Sequence, residues 1–137
     1  MINVIYRISD NGYNKPKFSN ATKYHCLDNA IREFGAGSIH LVLDETNLNQ
    51  DTHFLINGMH TGNPFAAYKL YTGGSSAGSF RHVFNYALKT FKDDDSIFFS
   101  EDDYLYLPGV AGIIEEGLAR ADYVTPYLHG DRFIPAS

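Results

Sequence analysis

The strongest constraint on the fold of this chain is a strand-then-helix order that recurs along it. The segment "INVIYRI", Ile2 to Ile8, is β-branched and aromatic with no glycine or proline, and it predicts a strand. After the turn formers of "SDNGYNKPK", Leu27, Ile31 and Phe34 recur at helical spacing until Gly35. This opening predicts one strand, one loop and one helix.

The same order continues to the end of the chain. Further strands are predicted at Ile39–Leu43, Ala67–Tyr71 and the "SIFF" that starts at Ser96, and a fifth in "DYVTPYLHG" from Asp122. Helices are predicted at Thr52–Met59, from Gly109 to Ala119, and between these with an apolar side made of Phe80, Phe84, Ala87, Leu88 and Phe91. Strands that alternate with helices predict an α/β fold, a three-layer α/β/α sandwich around a mainly parallel central sheet.

Composition limits the kind of protein. At 137 residues with 44% hydrophobic residues, the chain predicts a single folded domain over residues 1–137. A net charge of -5 argues against nucleic acid as a partner, because phosphate binding needs a basic surface. The only cysteine, Cys26, cannot form an intramolecular disulfide, which favours the cytoplasm, and no apolar run is long enough to predict a membrane span.

Polar and small residues follow the predicted strands. In parallel sheets, ligands bind beyond the carboxyl ends of the strands, near the point where the strand order reverses. The residues predicted at that edge are Ser9, Asp10, Asp44, Gly73 to Ser76, Glu101 to Asp103, His129 and Asp131. His129 or Asp131 could complete a metal or acceptor site there, or simply be exposed in a loop.

Three consecutive acids, Glu101, Asp102 and Asp103, directly follow the fourth strand. Like charges this close need neutralisation by a cation or screening by water. Mg²⁺ and Mn²⁺ prefer carboxylate oxygens. If the strand continued, Glu101 and Asp103 would share a face. The solvated alternative stays open, and the run Asp93–Asp95 exemplifies it.

The stretch "TGGSSAGSFR", Thr72 to Arg81, combines small residues with the start of a helix. Backbone amides of Gly74, Ser75 and Ser76 could approach a phosphate at the helix N-terminus. Arg81 could reach a diphosphate. A plain turn capped by serine, with Arg81 in solvent, explains the same residues.

Taken together, "FFSEDDYLYLPG" and its position resemble the acidic motif of GT-A-fold glycosyltransferases. The resemblance implies that Asp103 holds the divalent metal, that Asp102 contacts ribose or sugar, and that Glu101 fills the variable first position. It also implies that Arg7, Ser9 and Asp10 of "YRISD" and Asp44 lie by the base and ribose, and that "GGSSAGSFR" faces the nucleotide.

The resemblance implies transfer of a sugar from a nucleotide-diphosphate donor to a hydroxyl acceptor, such as a saccharide, with Mn²⁺ or Mg²⁺ as cofactor. Asp131 would be the base that takes the acceptor proton, and His129 a further metal ligand. Few residues follow the fifth predicted strand, so we expect the acceptor-binding part to be minimal, missing or supplied by another copy or a partner chain. The alternatives are a nucleotide-sugar-binding domain without turnover and a sugar-phosphate nucleotidylyltransferase.

Overall fold

The structure is a computed structural model that describes residues 2–9, 23–44, 65–71 and 76–126. Its strands are β1 (Ile2–Ser9), β2 (Ile39–Asp44), β3 (Ala67–Tyr71) and β4 (Ser96–Glu101). Its helices are α1 (Lys23–Phe34), α2 (Ser76–Thr90) and α3 (Val110–Leu118), with a short 3-10 turn at Ala36–Ser38.

The four strands form one parallel sheet in the order β3-β2-β1-β4. The predicted α/β class and the parallel sheet are therefore confirmed. The chain moves outward from β1 through β2 to β3 and then crosses back to place β4 on the other side of β1. The strand order thus reverses at β1, and the crevice of the sheet lies between β1 and β4.

Apolar side chains cover both faces of this sheet. On one face, Tyr6 and Leu41 pack with Leu27 of α1 and Ile114 of α3. On the other, Ile5 and Val42 pack with Val83, Tyr86 and Ala87 of α2. Helices α1 and α2 lie on opposite faces because of crossover handedness. The crossover from β1 to β2 runs one way across the sheet and the crossover from β3 to β4 runs the other way, so crossovers of the same hand place their helices on opposite faces.

The predicted apolar side of α2 is partly wrong. Its buried residues are Ser79, Val83, Tyr86 and Ala87, whereas Phe80, Phe84 and Leu88 are exposed. The exposed residues recur at every fourth position and form a stripe to one side of the buried face. Sequence periodicity detected the stripe but assigned it to the core.

The predicted fifth strand does not begin where expected. Residues 121–126 form no strand, and the rest of that prediction lies outside the described residues. Tyr123 is exposed. Val124 packs closely on Gly117: a Cβ atom added to Gly117 would lie only 2.8 Å from Val124 Cγ2. The chain therefore leaves α3 with Val124 packed back on that helix.

Two further predictions concern helices. The helix predicted at Thr52–Met59 lies outside the described residues. No helix in the described parts of the chain is long and apolar enough to cross a membrane.

Candidate functional site

The candidate site lies at the carboxyl ends of β1 and β4, where the strand order reverses. Arg7 and Glu101 are neighbours in the parallel register of these strands. Both follow the parity of Ile5 and Phe99, so both face α2. The Arg7 guanidinium donates a hydrogen bond to Glu101 Oε1 at 2.5 Å, and the Arg7 side chain is only 13% exposed.

A pocket of about 220 Å³ opens beside this ion pair. Its walls are mainly aromatic and aliphatic, and its polar groups come from the ends of β1 and β4; it is lined by Ile5, Arg7, Phe80, Val83, Phe99, Ser100, Glu101 and Tyr104. An apolar cleft with a few polar groups at one end is the usual form of a small-molecule site, although this one lies below the usual volume of about 300–1,000 Å³. The pocket is large enough for one planar ring system.

The three consecutive acids have different surroundings. Glu101 is held by Arg7, and the Asp102 carboxylate lies 3.2 Å from the ammonium of Lys23, the first residue of α1. Asp103 is exposed. Two of the acids are thus neutralised by cations of the protein itself. The sequence analysis considered only a metal ion or water for this role.

The predicted sharing of a face by Glu101 and Asp103 does not hold. β4 ends at Glu101, and Asp102 and Asp103 form a turn, so the alternation of a strand stops before them. Both aspartates raise the pKa of Cys26, while Glu101 lies on the α2 side with Arg7. The turn divides the acids between the two faces of the sheet.

The groups below the acidic turn are buried and uncharged. Burial, followed by the charges of Asp102 and Asp103, raises the pKa of the Cys26 thiol to about 11. Burial and then Asp102 raise the pKa of the Tyr6 phenol well above its ordinary value. The Tyr6 hydroxyl is buried, and no hydrogen-bond partner for it is found among the described residues. Cys26 is therefore a core residue.

The turn is attached to α1 by a side-chain clamp. Asn29 accepts a hydrogen bond from the Tyr106 amide at 2.6 Å and donates one to the Tyr106 carbonyl at 3.0 Å. The Tyr106 hydroxyl lies 2.6 Å from Ser100 Oγ, and Gly109, in the left-handed conformation with φ of 86°, donates to Glu33 Oε1. These contacts fix residues 104–109 and thereby the position of the acids just before them.

The remaining predicted residues fall in two groups. Ser9 and Asp44 end adjacent strands and pair in register, Ser76 is the first residue of α2, and Arg81 is exposed on that helix. The predictions for Asp10, Gly74, Ser75, His129 and Asp131 lie outside the described residues. The structure therefore brings together Arg7 and Glu101 directly, with Asp102 and Asp103 next to them.

Lys23, Phe80 and Tyr104 were missed as site residues. Phe80 and Tyr104 line the pocket, and Lys23 neutralises Asp102. Nothing local in the sequence marks Lys23, because its partner lies in the turn after β4. A charged residue inside the apolar "INVIYRIS" was a usable signal for Arg7, since a buried guanidinium needs an acid nearby.

The acids fit one kind of metal site only. Within the described ranges, no three His, Cys, Asp or Glu residues form a group that could hold a metal ion. Mg²⁺, however, is commonly bound by one or two carboxylates and completes its shell with water and substrate phosphates. Asp103, with Asp102 beside it, fits a cation that arrives with a diphosphate, not a cation enclosed by protein.

Comparison with protein-family models, curated proteins and solved structures returns no significant match for this chain.

Proposed function

We propose that this chain binds a nucleotide-diphosphate sugar and belongs to a divalent-metal-dependent glycosyltransferase of the GT-A type. The observation that carries the proposal is the position of the acidic turn, at the carboxyl end of β4 and next to β1, where the strand order reverses. This is where doubly wound sheets of order 3-2-1-4 bind nucleotides.

The proposed roles follow the geometry of the site. The aromatic pocket beside Phe80 and Tyr104 would take the planar base, because rings stack favourably on aromatic side chains. Asp102 would contact ribose or sugar, and Asp103 would hold Mn²⁺ or Mg²⁺ against the diphosphate. The cation would neutralise the charge that develops on the departing nucleoside diphosphate.

The proposed function also assigns a fold to the whole chain and roles to the remaining predicted residues. It implies a three-layer α/β/α sandwich, with Ser9, Asp10 and Asp44 near base and ribose, and Gly74, Ser75, Ser76 and Arg81 near the phosphates. His129 would be a further metal ligand and Asp131 the base for the acceptor hydroxyl. A single buried thiol is compatible with a cytoplasmic protein.

Calorimetric titration with UDP and GDP, each with and without Mn²⁺, tests the proposal. We expect one nucleotide to bind at least about tenfold more tightly with the metal, and Asp103→Asn to remove that gain. Asp94→Asn is the matched control, since Asp94 belongs to an exposed acidic run just before β4, at the end of that strand opposite the crevice, and it should change nothing. Metal-independent binding, or no binding, would contradict the metal role.

One observation favours binding without turnover as the second candidate. Arg7 and Lys23 already neutralise Glu101 and Asp102, which leaves fewer acids for a metal. A protein that binds a sugar nucleotide but neither hydrolyses nor transfers it, with any hydroxyl acceptor, would support this candidate. Release of pyrophosphate from a nucleoside triphosphate and a sugar phosphate would instead indicate a nucleotidylyltransferase.

A further inference from the structure

One of the three consecutive acids lies apart from the other two and lines the pocket. Glu101 ends β4 on the side that faces α2, whereas Asp102 and Asp103 form the turn beyond it. Glu101 is therefore separate from the acids proposed for the metal and the ribose. An acid at the polar end of a mainly apolar pocket favours a ligand that donates hydrogen bonds.

The Glu101 carboxylate has acceptor capacity left beside its ion pair. Arg7 binds Oε1, and no hydrogen bond to Oε2 is found among the described residues. An ionised carboxylate offers about four lone-pair sites on its two oxygens. Because the Glu101 side chain is 40% exposed, these oxygens can accept hydrogen bonds from a ligand in the pocket.

Arg7 holds this carboxylate in place and compensates its charge. The two residues are neighbours on paired strands, and the Arg7 side chain is mostly buried. The charge of the guanidinium offsets that of Glu101. The pocket therefore offers acceptor oxygens without a net negative charge that would repel a nucleotide diphosphate.

The aromatic walls favour a flat ligand but do not choose between bases. Phe80 comes from α2 and Tyr104 from the segment after the acidic turn, and both are at least one-third exposed, so both rings can contact a ligand. Every nucleobase has a face that stacks on an aromatic ring. The choice between bases is thus left to the hydrogen-bonding groups at the polar end.

We propose that Glu101 selects guanine, so that the donor bound by this chain is a guanosine-diphosphate sugar. Guanine carries two neighbouring donors, the ring N1–H and the N2 amino group, which match the two oxygens of one carboxylate. Uracil presents one N–H between two carbonyl oxygens, which the carboxylate would repel. Adenine and cytosine present one amino group beside an acceptor nitrogen.

This inference rests on the proposed function, because it identifies the base of the nucleotide assigned to the pocket. Inosine diphosphate isolates the decisive group, since it is GDP without the N2 amino group. In calorimetric titrations with Mn²⁺ present, we expect GDP to bind the wild type at least about tenfold more tightly than inosine diphosphate or UDP, because a missing donor leaves a carboxylate oxygen unpaired.

Glu101→Gln should remove this preference and bring GDP and inosine diphosphate to within about threefold of each other, because the amide has only one acceptor oxygen. The ratio of the two dissociation constants is the readout, since a general loosening of the site by an unpaired Arg7 weakens both ligands alike. Glu116→Gln is the matched control. Glu116 also pairs with an arginine, Arg120, but on the exposed surface of α3, and its replacement should leave the ratio unchanged.

Phe80→Leu tests the aromatic wall without disturbing the ion pair. It should weaken GDP and inosine diphosphate by the same factor, because stacking does not distinguish them. The comparison of the two ligands on the wild type needs no variant, so it decides the matter even where Glu101→Gln does not fold.

Equal binding of GDP and inosine diphosphate by the wild type would overturn the selection of guanine. Metal-dependent binding of either nucleotide would still leave the proposed function intact. A preference for UDP, or a preference for GDP that Glu101→Gln retains, would overturn the selection as well. Binding of no nucleotide would overturn both the selection and the proposed function.

Discussion

At the scale of the residue, the cations Arg7 and Lys23 decide how three adjacent acids coexist. The sequence predicted a charge problem at Glu101 to Asp103 correctly, because like charges next to each other are costly wherever they lie. It could not show that cationic side chains of the same chain neutralise two of the three acids. Arg7 is 94 residues away from Glu101 along the chain, and only the pairing of β1 with β4 brings them together.

The Arg7–Glu101 pair should be energetically coupled. We expect a double-mutant cycle of Arg7→Met and Glu101→Gln to give a coupling free energy of unfolding of roughly 1 kcal/mol, since the pair is partly buried. The exposed pair Arg32–Asp28, one helical turn apart, is the internal control and should give about 0.3 to 0.5 kcal/mol. Equal coupling in the two pairs, measured by urea unfolding, would contradict the structural distinction.

At the scale of the element, α1 determines where the acidic turn lies. Asn29 pairs with both backbone groups of Tyr106, as a neighbouring strand would, and Glu33 holds Gly109. Helix α1 was predictable, because Leu27, Ile31 and Phe34 show its period locally. Its clamp was not, since an asparagine in a helix has no sequence signal for a partner 77 residues away.

Removal of the clamp should destabilise the protein measurably. We expect Asn29→Ala to lower the free energy of unfolding by about 2 kcal/mol, because two hydrogen bonds to partly buried backbone groups are lost. Asn85→Ala on the exposed side of α2 is the matched control and should stay within about 0.5 kcal/mol. A cost for Asn29→Ala as small as the control would show that the clamp does not hold the turn.

The same scale explains the two errors in the elements. The stripe of α2 has the spacing of a buried face, and periodicity alone cannot tell which of two adjacent apolar faces meets the sheet. "DYVTP" has strand-forming residues, but Val124 packs on Gly117 of α3, and the local pattern contains no information about that contact. Packing between elements decided both cases.

At the scale of the whole molecule, the sheet order defines the crevice. Alternating elements predicted a parallel sheet, yet the order β3-β2-β1-β4 depends on which strands pair, which no short segment encodes. The carboxyl-edge rule nevertheless indicated the end of β4 at Glu101, because it holds for any order, whereas Arg7 entered only through the resemblance. What it could not predict was the aromatic pocket on the α2 side.

The packing of α2 on the sheet should be sensitive to acid. His40 of β2 lies with its Nδ1 2.8 Å from the Tyr86 hydroxyl of α2, and burial lowers the pKa of His40 from its usual 6.5. Below about pH 6.5, His40 therefore takes up a proton more readily in the unfolded chain than in the folded chain. The free energy of unfolding should fall as the pH drops through about 6.5. Urea unfolding at pH 7.5 and 5.5 should show a larger loss for the wild type than for His40→Gln. Equal losses would contradict the linkage.

The proposed function requires a metal-bound nucleotide diphosphate in the crevice between β1 and β4. Paramagnetic broadening of backbone amide signals tests it most directly, because Mn²⁺ added with UDP or GDP broadens only the amides near the ion. We predict broadening around Arg7 and Glu101 to Tyr104 that requires the nucleotide and disappears in Asp103→Asn. Broadening at Asp93–Asp95 instead, or none near the crevice, would contradict the account.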